Sequence, residues 1–246
     1  MFLAWRGLSP ELTHRFDQFL LVVQTWGFLV PFVWGFSAKW LPIFLGLRPV
    51  RHRLLLVAVS ANAAGVITAM AGGMKLPVVL LLLGVSTAVV ALRLLEATEQ
   101  PAKVKGVHSS FPLFVRLAYA WSVAAAALAI WATSVDGSHG IWGASRHALT
   151  VGFLATMVFS IGQRVLPAFS GMRLLLSTKL MLASLVLLSA GCFLRVGSEI
   201  LAYQGFAAWA WSWLPVSALT EMTAVSLFAI NLLGTFARQS GSQQVD

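Results

Sequence analysis

Apolar and charged positions alternate in long blocks along this chain. Residues 18–38, 54–74, 76–92, 117–135, 147–163 and 180–194 contain no Asp, Glu, Lys or Arg, and residues 207–237 contain a single carboxylate, Glu221. A bilayer core about 30 Å thick is crossed by roughly 20 apolar residues in helical form, so each run predicts a transmembrane helix. Two runs are short. The sixth lengthens if it begins near Leu174 and Lys179 snorkels its ammonium to the interface, and the fifth if it extends past Arg146. The first run has no small-residue cleavage site and is followed by basic residues, so it is expected to stay in the membrane. Composition agrees: 59% of residues are hydrophobic and 10% charged, against about 25% charged in a soluble domain.

A net charge of +9 would suggest nucleic acid as partner for a soluble protein. Here the cations sort by loop, and no nucleic-acid partner is expected. With alternate loops on alternate sides, one side holds Arg6, Arg15, Lys75, Arg146 and Arg195, and the other holds the remaining twelve of the 17 cations. The richer side is expected to be cytoplasmic, which places the N-terminus outside and the C-terminus inside. Seven spans satisfy that parity. A bacterial inner membrane is the expected location, with lipid and other membrane subunits as partners.

The chain also resembles itself. Residues 26–48 align without gaps on residues 151–173 at a constant shift of 125 positions. Gly27/Gly152, Phe28/Phe153, Pro42/Pro167, Phe44/Phe169, Gly46/Gly171 and Arg48/Arg173 are identical, and Lys39 matches Arg164 in charge. Shared Gly, Pro, Phe and Arg at fixed spacing point to duplication rather than apolar bias. Three helices follow from the start of each copy, with the fourth helix between them. The expected fold is therefore an all-α integral membrane protein of about seven transmembrane helices, an internal parallel duplication of a four-helix unit lacking its first helix. Residues 1–111 form the first repeat, three helices and a cytoplasmic loop, and residues 112–246 the second, with four helices. Each copy reads as a helix end. Pro42 and Pro167 discourage continuation of the helix, the glycines permit the turn, and Lys39 and Arg164 meet the negative end of the helix dipole. Contact of this motif with a quinone head group or a haem propionate is the functional alternative.

Few residues could carry chemistry. His52 and His108 belong to cytoplasmic loops and are expected to be solvated, whereas His14, His139 and His147 fall on the outer side. Three imidazoles near one face suit haem iron or copper. His147 is the sharpest of them, because small residues follow it at the membrane edge; an interfacial polar residue is the competing reading. No second histidine stands three or four positions away, so a metal would draw ligands from different helices. Glu221 lies near the middle of the last span, where a lone charge costs at least about 2.5 kcal/mol. It reads as a proton relay, a cofactor contact, or a carboxyl bonded to Thr220, Thr223 or a neighbouring helix. Asn62 reads as an interhelical hydrogen bond among small residues, Cys192 as an apolar packing residue, and Trp209, Trp211 and Trp213 as an interfacial belt. No phosphate-binding glycine loop, nucleophile elbow or HExxH motif occurs, and no catalytic residue is assigned.

The stretch Arg146-His147-Ala148-Leu149-Thr150-Val151-Gly152-Phe153, continuing to Gln163-Arg164-Val165-Leu166-Pro167-Ala168-Phe169-Ser170-Gly171, resembles the NnrS family of bacterial membrane proteins. Trp26-Gly27-Phe28 and Leu41-Pro42-Ile43-Phe44-Leu45-Gly46-Leu47-Arg48 resemble the upstream occurrence of that pattern. Family members contain haem and copper and are associated with denitrification and relief of nitric oxide stress. The resemblance covers most of the chain. Typical relatives have more spans, so the chain resembles their C-terminal part. It implies a membrane subunit that binds b-type haem, with His147 as axial ligand, His14 or His139 as its partner and Arg164 as a contact for an anionic cofactor group, handling nitric oxide or electrons near the outer face. Copper at His147 is the other metal implied. A cofactor-free scaffold subunit of a larger membrane complex is the alternative.

Overall fold

The computed structural model describes residues 20–73, 75–135, 140–169, 171 and 174–240, and among them there is helix but no strand. Six helices are long and apolar enough to cross a membrane: α1 (Leu20–Leu45), α2 (His52–Met70), α4 (Phe111–Val135), α5 (Gly140–Phe169), α6 (Thr178–Tyr203) and α7, whose apolar span is Ala208–Arg238. Between α2 and α4 lies the shorter apolar helix α3 (Lys75–Ala91). The seven apolar runs thus become seven helices. Helix α6 starts at Thr178 rather than near Leu174, because the Ser177 side chain caps it by accepting the Leu180 amide at 3.3 Å.

The buried core is apolar, but large apolar side chains also cover the outside and several polar ones are buried. Phe28, Phe32, Leu56, Ile67, Leu219 and Met222 are exposed, while Ser37, Asn62, Gln163 and Asn231 are buried. Hydrocarbon as the surrounding medium explains both halves of the pattern. Burial is heaviest in α4, α5 and α6 and lightest in α1, α2 and α7. Helices α4, α5 and α6 are therefore the centre, and the others lie against it.

The segments that align at the 125-residue shift share local structure. Helix α1 winds as a π-helix over Val23–Leu29, and α5 does so over Ala148–Ala155. Thr25 donates its hydroxyl to the Leu21 carbonyl at 2.6 Å and Thr150 to that of Arg146 at 2.8 Å. Such back-bonding bends helices. The wider winding loosens the carbonyl ladder, and Asn62 of α2 donates to the Trp26 carbonyl at 2.7 Å. Pro42 and Pro167 do not end their helices, which run on to Leu45 and Phe169. Helix α1 ends at Gly46, which adopts φ +67°, and a β-carbon there would run into the Gln100 carbonyl. The Pro42 carbonyl still accepts, taking the Leu47 amide at 3.0 Å.

The loop after α3 closes under this end of α1. Lys103 donates its amide to the Phe44 carbonyl and Glu99 its amide to that of Gly46, each at 2.9 Å. Arg48 pairs with Glu99 at 2.7 Å, and Glu96 joins Arg51 at 2.8 Å to Arg93 at 2.7 Å. At the centre, α4 presses Trp121 on Gly152 of α5, where an added β-carbon would stand 2.5 Å from the indole.

Replacing Gly152 with alanine should therefore lower stability by about 1–3 kcal/mol, the usual cost of overpacking. The same change at Gly35, which has nothing within 4 Å, should be neutral or stabilising by up to about 1 kcal/mol. Thermal unfolding in mild detergent reads both. At the loop, the Arg93 hydrogen bond, reinforced by Arg51 and Arg48, holds the Glu96 carboxyl below the ordinary glutamate range. Its contribution is complete above the pKa of an unfolded glutamate and is lost as pH falls through the lower folded value. Glu96→Gln should flatten the acid limb of the unfolding midpoint against pH between about 3 and 5; an unchanged limb would exclude this clasp.

Candidate functional site

His147 lies two turns inside α5, immediately before the π-helical segment, so its ring projects toward α6 rather than opening the span. Its Nδ1 is 3.0 Å from Glu199 Oε2 and 3.1 Å from the Gly143 carbonyl. Both neighbours are acceptors, so Nδ1 carries the proton and shares it between them, which leaves the Nε2 lone pair free in the neutral ring. Gly143 makes room for this approach, since a β-carbon there would come within 3.3 Å of the Glu199 carboxylate.

Glu199 is held from its other side as well. Arg195, one turn earlier on α6, donates Nε to Glu199 Oε1 at 3.1 Å. The Glu199 side chain is only 6% exposed, against 31% for His147 and 28% for Arg195. The carboxylate is thus the buried hub, and the two cationic or hydrogen-bonding groups face outward from it. Cys192, on the same face of α6, has Sγ 3.9 Å from the His147 carbonyl.

Helix α7 carries Glu221, which packs against α6. Its Oε1 is buried without a hydrogen-bond partner. Thr220 and Thr223 do not supply one, because their hydroxyls bond the Val216 and Leu219 carbonyls of their own helix. Gly191 of α6 admits the Glu221 side chain, whose Cγ would be 2.5 Å from a β-carbon at that position. His147, Glu199 and Arg195 thus form one bonded polar trio between α5 and α6, and Glu221 of α7 packs against α6 at Gly191.

Two of these four are not singled out by the sequence. Arg195 counts there as a loop cation, yet it lies within α6, and Glu199 follows it by four positions. An Arg and a Glu at i and i+4 on the end of an apolar helix are the available signal. The other expected site residues separate. Arg164 lies 17 positions beyond His147 on the same helix, about 25 Å away along its axis. Its guanidinium donates to the Lys103 carbonyl and stacks over Phe44 at 4.3 Å and Phe111 at 5.4 Å, so it joins the C-terminal ends of α1 and α5. His108 caps the turn before α4, accepting the Ser110 amide at 3.2 Å. His52 is exposed at the start of α2, where it lines a cavity of about 460 Å³ with Lys39, Gly46 and Lys103. His14 and His139 lie outside the described residues. Among the described residues no group of three or more His, Cys, Asp or Glu side chains could hold a metal ion.

These helices and their buried polar contacts define the class as a multi-pass helical membrane protein. No protein-family model, no curated protein and no solved structure matches the chain.

Removing Glu199 would strip the counter-charge from Arg195 and the acceptor from His147. Glu199→Ala should cost about 1–3 kcal/mol, the usual penalty for leaving such partners unsatisfied, and more than Thr223→Ala on the exposed face of α7. A thermal midpoint equal to that of the unsubstituted chain would remove Glu199 from its position as hub.

Proposed function

We propose that the chain is a membrane subunit related to the NnrS family that binds b-type haem through His147 and handles nitric oxide or electrons near the outer face. One observation carries this reading: the Nδ1 edge of His147 is committed to a buried carboxylate that is itself held by an arginine. Histidines that ligate metals characteristically donate their other ring N–H to a carboxylate or carbonyl, which fixes the tautomer and raises the basicity of the ligating nitrogen. His147 has both kinds of acceptor. The available donor set fits one axial imidazole; His14 or His139 would supply the second. Bound haem would bring a redox-active iron to this end of the bundle. Glu199 orients the imidazole, Arg195 offsets the carboxylate charge, and Glu221, packed against α6, offers a carboxyl able to hold or pass a proton. Copper at His147 is the variant of this reading that draws on the same imidazole.

The pairing of the π-helical segments, of Thr25 with Thr150, and of the positive-φ residues Gly46 and Gly171 supports descent of the two halves from one duplicated four-helix unit. The cation distribution supports a bacterial inner membrane, an outer N-terminus and partner subunits in the bilayer.

A cofactor-free scaffold is the second reading, favoured by the Arg195 contact, since the closed trio of Arg195, Glu199 and His147 would also staple α5 to α6. Reduced-minus-oxidised absorption of the purified chain, with a pyridine haemochrome assay, separates the two. We expect a b-type band that His147→Ala abolishes or shifts, and that Glu199→Gln retains with an altered midpoint potential. A purified chain with neither haem nor copper, the latter read by elemental analysis, would favour the scaffold instead.

A further inference from the structure

The cavity of about 460 Å³ is walled by the last turns of α1, the first residue of α2 and the loop after α3. Lys39, His52 and Lys103 line it, and all three are exposed. Among the described residues neither lysine ammonium meets a carboxylate; that of Lys39 stands 5.4 Å from the centre of the Trp40 ring. The lining carboxylate, Glu99, is engaged by Arg48 at 2.7 Å.

Acceptors and donors in this cavity are unequally spent. The Pro42 carbonyl takes the Leu47 amide at 3.0 Å, that of Gly46 the Glu99 amide at 2.9 Å, and that of Pro49 the Arg93 Nε at 2.9 Å. Donors remain. Helix α2 begins at His52 on the cavity wall, and its cap residue Arg51 makes no side-chain bond to the first turn, because a guanidinium has no acceptor to offer. The first backbone bond of α2 runs from the Leu55 amide to the Arg51 carbonyl, so the amides of His52, Arg53 and Leu54 precede the helical ladder and carry the positive end of its dipole. Two unpaired ammoniums beside a helix start call for an anion rich in acceptor oxygens, and a phosphate group can meet all of them at once. The α1 side of the cavity is apolar. Ile43, one turn beyond Lys39, lines it and is 46% exposed on a helix long enough to cross the membrane. Basic pockets at the ends of membrane helices hold anionic lipid head groups.

We infer that this cavity binds the phosphate group of an anionic phospholipid, between Lys39, Lys103 and the start of α2, with an acyl chain against Ile43. The site does not depend on the haem reading. Arg164, which donates to the Lys103 carbonyl, lies about 25 Å along α5 from His147.

Native mass spectrometry of the full chain, released from neutral detergent, tests it with dioleoylphosphatidylglycerol and dioleoylphosphatidylcholine titrated separately. Phosphatidylglycerol should bind about tenfold more tightly than phosphatidylcholine. Lys39→Gln and Lys103→Gln should each weaken it about threefold, and the double variant should abolish the preference. Lys105→Gln combined with Lys179→Gln removes two exposed ammoniums from the same end of the bundle that do not line the cavity, and should leave the preference intact. All four lysines are exposed, so each variant should keep the thermal midpoint of the unsubstituted chain. Equal affinities for the two lipids, or equal losses in the two double variants, overturn the inference in favour of diffuse surface charge. Millimolar glycerol 3-phosphate, which carries the phosphate without acyl chains, should displace no lipid; displacement of phosphatidylglycerol by it overturns the lipid in favour of a free phosphate ester.

Discussion

Buried amides, carbonyls and hydroxyls in the spans have only one another for partners, because hydrocarbon offers them no hydrogen bond. The tertiary structure follows from how these groups are matched. Asn231 of α7 donates to Gln163 of α5 at 2.7 Å and to the Ser177 carbonyl at 3.0 Å, while its Oδ1 accepts the Ser177 amide at 3.0 Å. Thr235 accepts the Leu176 amide at 2.8 Å. One turn of α7 thereby closes the start of α6 and ties both to α5. Tyr119 and Ser37 bond at 2.7 Å to join α4 to α1, and Asn62 joins α2 to the π-helical part of α1. Each such contact fixes a helix pair in rotation and depth, which apolar packing against equally apolar lipid does weakly.

The π-helical segments illustrate what this matching permits. An i to i+5 turn inside an α-helix often marks a functional position, and here the segment of α5 begins directly after His147. In α1 the equivalent segment has Val22 where α5 has His147. The same backbone irregularity is thus present in both halves, but the chemistry is present in one. Helix α4 explains the difference in packing: it lies on α5 through Trp121 and Tyr119, and among the described residues no equivalent helix lies over α1. The second half is consequently the denser one, and the polar cluster lies within it.

Within that cluster the arrangement is of a buried carboxylate between two basic groups. Glu199 would be costly to bury alone. Its contacts to Arg195 and His147 offset that cost and at the same time hold the imidazole in one orientation. Arg164 performs an unrelated task at the opposite end, where its cation–π contacts with Phe44 and Phe111 join the two halves.

The helices themselves were legible in the sequence, since charge-free runs of bilayer length need no tertiary information to be recognised. The matching of residues 26–48 with 151–173 also located a shared local structure, down to the positive φ of Gly46 and Gly171. His147 and Glu221 stood out because ionisable groups in or beside apolar runs are costly and so are conspicuous. Other features were hidden. Pro42 and Pro167 lie inside helices, and the Pro42 carbonyl still accepts from the turn that follows it. Arg195 looked like a loop residue because a cation near the end of an apolar run does not disclose whether the helix continues. Glu199 gained its importance from a contact 52 positions away in the chain, with His147. Hydropathy and local spacing determine which segments cross the bilayer, because that is a property of each segment alone. Which polar side chains meet was decided only by the rotation and depth at which the helices pack, since the polar groups of one helix are satisfied by groups of another.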